Sequence, residues 1–91
     1  MIKNVHFSDK FTYNVASLLQ NTEQFSEDMY KIILLKIENI RIFPKMYPVF
    51  ENTKYRKFWV KNYIILYIVK DDLINIYDIF PIKSNYKSLF Y

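Results

Sequence analysis

The chain contains no cysteine and no glycine. The first absence excludes a disulfide framework and a thiolate metal site, and it fits a reducing, cytoplasmic setting. The second rules out a Gly-rich phosphate loop and a nucleophile elbow. It also means that any tight turn must place a residue with a Cβ in the left-handed region. His6 is the only histidine, and no carboxylate stands at a recognisable spacing from it, so it reads as a surface or edge residue. Long apolar runs are missing too. The longest, Tyr63 to Val69, is far short of the roughly 20 residues a membrane helix needs. The first ten residues, MIKNVHFSDK, carry charge with no apolar stretch behind them, so no signal peptide is expected. These absences predict a soluble protein without metal or cofactor.

What is present is apolar and aromatic. Hydrophobic residues make up 52% of the 91, with nine Tyr and eight Phe, which predicts a folded globule rather than disorder. That length suits one domain spanning residues 1–91, with a single core. The net charge of +4 is unevenly placed. Residues 1–53 are neutral, whereas Lys54, Arg56, Lys57, Lys61, Lys70, Lys83 and Lys87 outweigh Asp71, Asp72 and Asp78 in the rest. The second half is therefore where phosphate or an acidic protein would be met.

Periodicity orders the elements. A short strand over Ile2 to Phe7 places Val5 and Phe7 on one face. Ser8 stands as an N-cap before Phe11, Val15, Leu18 and Leu19, which share the face of a short helix. Ser26 is the second cap, with Glu27 and Asp28 where the helix dipole favours anions. Met29, Ile32, Ile33, Ile37 and Ile40 follow as a stripe, and Leu34 and Leu35 widen it toward a heavily buried helix. Pro44 disfavours helix at Phe43 and ends it. Three strands then run over Tyr55 to Val60, Tyr63 to Val69 and Leu73 to Phe80. Their connections, Lys61-Asn62 and Asp71-Asp72, are the length of tight hairpin turns, and Asn62 and one aspartate are expected to take positive φ. The order β-α-α-β-β-β predicts an α+β fold, an antiparallel sheet with both helices on one face.

Alternation sorts the basic second strand into Arg56, Phe58 and Val60 on one face and Tyr55, Lys57 and Trp59 on the other. With Phe58 and Val60 facing the helices, Lys57, Tyr55 and Trp59 lie on an open face where a base can stack and a phosphate can pair. Lys54 and Lys61 flank them. The competing reading is a solvated strand whose lysines resist aggregation. After the last strand, Lys83 and Tyr86 in PIKSNYKSLFY offer a cation and a phenol of the kind that stabilise a reacting phosphate or stack on a base. Equally, that tail covers the edge of the core. Asp71 and Asp72 are turn residues rather than a metal pair.

FPKMYP closing the second helix, YRKFWVKNYIILYIV, and a strand leading into KSNYKSL together resemble the RelE/ParE superfamily of toxins from bacterial type II toxin-antitoxin modules. That resemblance implies a basic toxin held inactive by an acidic antitoxin that folds on binding. In the RelE-like branch it further implies ribosome-dependent mRNA cleavage by attack of a 2′-hydroxyl on the adjacent phosphate. Lys54, Arg56, Lys57, Lys61 and Trp59 would then bind nucleic acid, and Lys57, Lys83 and Tyr86 would serve the reaction. Two alternatives stay open: a ParE-like, non-catalytic inhibitor of DNA gyrase, and a degenerate toxin that only binds its antitoxin. Two positions depart from the nucleolytic pattern. Ile64 stands where arginine is frequent, and Asp78 stands in the last strand where relatives often carry arginine, with Arg56 as one conceivable partner.

Overall fold

The computed structural model describes residues 3–23 and 25–82. The elements run β1 (Asn4–Phe7), α1 (Asp9–Asn21), α2 (Glu27–Ile42), β2 (Arg56–Val60), β3 (Tyr63–Lys70) and β4 (Leu73–Pro81). Both helix starts use the expected caps. Ser8 Oγ accepts from the Phe11 amide at 3.0 Å and Ser26 Oγ from the Met29 amide at 3.2 Å. At the far end of α2, Phe43 is the C-cap, one residue before Pro44.

The four strands form one sheet in the order β1-β4-β3-β2. The β2-β3-β4 meander is antiparallel, as its two-residue turns require, whereas β1 joins β4 in parallel. The sheet is mixed because the paired helices separate β1 from the meander and bring the chain back to begin at the opposite edge. Turn chemistry also differs from expectation. Lys61 (φ 52°) and Asp71 (φ 54°) hold the left-handed conformations, each as the first turn residue, so Lys61 rather than Asn62 carries the backbone cost.

Both helices pack on one face of the sheet. Phe11 and Val15 of α1 and Met29, Ile33, Ile37 and Ile40 of α2 share a core with Phe58, Val60, Tyr63, Ile65, Tyr67, Ile74, Ile76 and Ile79. α2 is less buried than its wide stripe predicts: Leu35 is 67% and Ile32 40% exposed.

The other face is not open. Phe50, Ile64, Leu66 and Phe80 form a second buried cluster, with Tyr55 and Tyr77 packed against it. The loop after α2 brings Phe50 there by running along the outer edge of β2. The Lys57 amide donates to the Pro48 carbonyl at 3.1 Å, Val49 bridges Arg56, and the chain turns back through Glu51 (φ 48°). Covering β2 in this way removes an edge that would otherwise pair with another chain.

Candidate functional site

The residues singled out from β2 are divided between the two sides of the sheet. Arg56 points to the helix side, where its guanidinium donates to the Tyr47 carbonyl at 2.7 Å. This bond ties the loop to the sheet and separates Arg56 from the other candidate cations. Tyr67 makes a parallel tie, its hydroxyl donating to the Pro44 carbonyl at 2.9 Å. Burial pushes the Tyr67 phenol up to about 12, although the hydrogen bond from the Tyr47 segment and the Arg56 charge act the other way.

Lys57 and Trp59 lie on the face away from the helices, as alternation requires. The Lys57 ammonium sits 5.0 Å from the Phe50 ring centroid and 4.8 Å from that of Trp59. Two rings hold the side chain in place. Trp59 is 43% exposed, so it offers ring surface beside a fixed cation. Lys54 lies 5.7 Å from the Tyr55 ring, and Lys61 projects from the β2–β3 turn. Lys54, Lys57 and Trp59 are thus brought to one side, Lys61 stands exposed at the adjoining turn, and Arg56 is excluded. Lys83 and Tyr86 lie outside the described residues.

Ile64 and Asp78 now have physical explanations. Ile64 is buried under Phe50 in the second cluster, a position that a guanidinium could not occupy without an exit to water. Asp78 does not pair with Arg56. Its partner is Lys10 on α1, with Nζ 3.3 Å from Oδ2, while Oδ1 accepts from Asn14 Nδ2 at 2.7 Å and from the Ile79 amide at 2.8 Å. This arrangement depends on a bulge. Leu66 pairs with Asp78 and Tyr67 with Ile76, which leaves Tyr77 as the extra residue of β4. Tyr77 stacks on Tyr55 with ring centroids 4.6 Å apart and 23° between planes. The Lys10 ammonium lies 5.1 Å from the Tyr77 ring. Burial works against charge on Lys10, but the Asp78 carboxylate and the Tyr77 hydroxyl outweigh it and raise its pKa above 10.5. The Tyr55 phenol is raised by burial and by its neighbour Tyr77.

Sequence reasoning missed Lys10, Tyr77 and the buried role of Ile64. For Ile64 a signal existed, since the unbroken apolar run YIILYIV is the mark of a strand covered on both faces. Lys10 had none, because nothing local pairs the first turn of α1 with a residue 68 positions away. Among the described residues, no group of acidic residues and histidine is arranged to hold a metal ion, and no helix is long and apolar enough to cross a membrane.

No family model and no curated sequence matches the chain. Solved structures do match. The crystal structure of YafQ from E. coli aligns over 98% of this chain and 99% of its own, with a TM-score of 0.59 and 21% identity. The solution structure of a conserved hypothetical protein from Helicobacter pylori aligns over 89% of this chain and 94% of its own, with a TM-score of 0.60 and 17% identity. The β-α-α-β-β-β chain with its single mixed sheet thus shares its fold with these two solved structures.

Proposed function

We propose that this chain is the toxin of a type II toxin-antitoxin module, inhibiting growth by ribosome-dependent cleavage of mRNA in the cytoplasm and neutralised by an acidic antitoxin. The observation that carries the toxin reading is the likeness to YafQ, a RelE-family toxin, over 98% of this chain and 99% of that one. The mRNA reading draws on the cations and rings grouped around Lys57 and Trp59 on the face away from the helices. Neither structural neighbour supports the gyrase alternative.

In this scheme the 2′-hydroxyl gives up its proton to solvent or the ribosome as its oxygen bonds to phosphorus, the bond to the 5′-oxygen breaks, and the departing oxygen takes up a proton to balance it. Lys57, held by two rings, offers its ammonium to the phosphate oxygens. Trp59 stacks on a base, and Lys54 and Lys61 neutralise flanking phosphates, while Lys83 and Tyr86 keep the catalytic roles that the family resemblance implies. Asp78 is committed to Lys10, Asn14 and its own neighbouring amide, so it does not serve as the general base. The ribosome then supplies much of the positioning.

The test is addition of purified protein to ribosomes stalled on a defined mRNA, with the cut mapped by primer extension. Cleavage at the A-site codon is expected, and Lys57→Ala should slow it by about 10²-fold with the fold intact. An uncut message would exclude the mechanism. Unimpaired growth on induction without antitoxin would favour a chain that only binds its antitoxin.

A further inference from the structure

The face that carries Lys57 continues toward the first turn of α1. Tyr77 and Tyr55 are stacked, Lys10 lies over the first ring and Lys54 over the second. Both rings pack on the cluster containing Phe50, whose own ring lies beside Lys57. Lys10, Tyr77, Tyr55, Lys54, Lys57 and Trp59 are therefore linked ring to cation across one face. Interleaved cations and aromatic rings are what a single-stranded nucleic acid needs, because rings accept bases of any sequence and ammonium groups follow the phosphates.

Lys10 is the least expected member. Its side chain is 45% exposed although its Asp78 partner is 2% exposed, so the ammonium stands at the boundary of the protein. Asp78 and the Tyr77 ring hold the ammonium on one side, and its exposed side can meet an outside acceptor. Asp78 does not depend on Lys10 alone, having Asn14 and the Ile79 amide as further donors. A merely neutralising lysine would not need to lie over a ring. Held by Asp78 and Tyr77, the side chain loses little freedom on meeting a phosphate.

We infer that Lys10, with the stacked Tyr77 and Tyr55, forms a second contact point for single-stranded RNA, receiving a phosphate outside the step that Lys57 serves. The inference rests on the reading of the chain as a toxin that engages mRNA. Its location on α1 makes the RNA path run from the β2 edge across the bulge of β4 to the first turn of the helix.

The experiment is equilibrium binding of a short single-stranded RNA to the full chain over a series of salt concentrations, without ribosomes. Removing Lys10 alone takes the counter-charge from a buried carboxylate, so the informative comparison is Asp78→Asn against the double variant Lys10→Gln/Asp78→Asn, both checked for native circular dichroism. Loss of one phosphate contact should reduce the slope of log affinity against log salt by about 0.7. Asp78→Asn should keep the slope of the unaltered protein, and the double variant should show the reduced one. Lys31→Gln, on the exposed side of α2, should leave it unchanged. Equal slopes for Asp78→Asn and the double variant would overturn the inference, as would failure of the unaltered protein to bind RNA. Cleavage on the ribosome with equal slopes would sink the Lys10 contact alone. A slope that depends on Lys10 in a protein that cuts no message would sink the cleavage reading and leave the contact standing.

Discussion

Lys61 occupies the left-handed region at φ 52° with a Cβ that glycine would lack. An L-residue there costs roughly 1 kcal/mol, and a chain without glycine bears that cost at Asp71 as well. Lys61→Gly should therefore raise stability by about 0.5–1 kcal/mol, since relief of the turn exceeds the added freedom of the unfolded chain. Urea unfolding checks this, and a fall in midpoint would mean that Lys61 packs on something worth more than its strain. Tyr67 gives a second prediction, set by proton linkage. Its phenol ionises near 12 in the folded protein and near 10 when unfolded. The native state thus binds more protons in that window. Stability is fully present below about pH 10 and falls as pH rises toward 12. Lys10, also raised, acts in the same direction from about pH 10.5 upward. Tyr67→Phe should flatten part of that alkaline decline while lowering stability at neutral pH by about 1 kcal/mol, because the Pro44 carbonyl loses its donor.

At the level of elements, Ser8 does more than begin a helix. Its Oγ accepts from the Phe11 amide and donates to the Tyr77 carbonyl, so it fastens α1 to the bulge of β4. Ser26 only caps α2. Ser8→Ala is expected to cost about 2 kcal/mol and Ser26→Ala about 1 kcal/mol, measured by chemical denaturation. Equal losses would show that the Tyr77 tie contributes nothing. Local signals such as these caps, the Pro44 stop and the two-residue turns were legible in the sequence because each acts over a few residues. The parallel placement of β1 was not, since strand direction at an edge is decided by where two helices return the chain. The same limit applies to the site. Alternation separated Lys57 from Arg56 correctly, as both lie on one strand. It could not place Lys10 beside Asp78, because a bulge shifts β4 by one residue at Tyr77 and brings a distant helix into reach.

Considered whole, the molecule is a sheet with two cores, and this explains why its cations lie at the rim. On the side away from the helices, Ile64 takes up space that an arginine would need, and Phe50 packs against it. Lys57, Lys54 and Lys10 surround this apolar centre, each over a ring. Restoring an arginine should therefore not restore a site. Ile64→Arg would bury a charge without a partner, at a cost of about 3–5 kcal/mol, a large share of what a small domain has. Phe50→Ala should cost about 3–5 kcal/mol by opening a cavity above Ile64, Leu66 and Phe80. The two changes should not add. With the Phe50 ring gone, the guanidinium at position 64 gains a path to water, so the double variant should be less destabilised than the two single losses combined. A double-mutant cycle from urea melts reads this directly. Strict additivity would mean that Phe50 does not close the face over Ile64, and the second core would lose its role in setting where the positive charge stands.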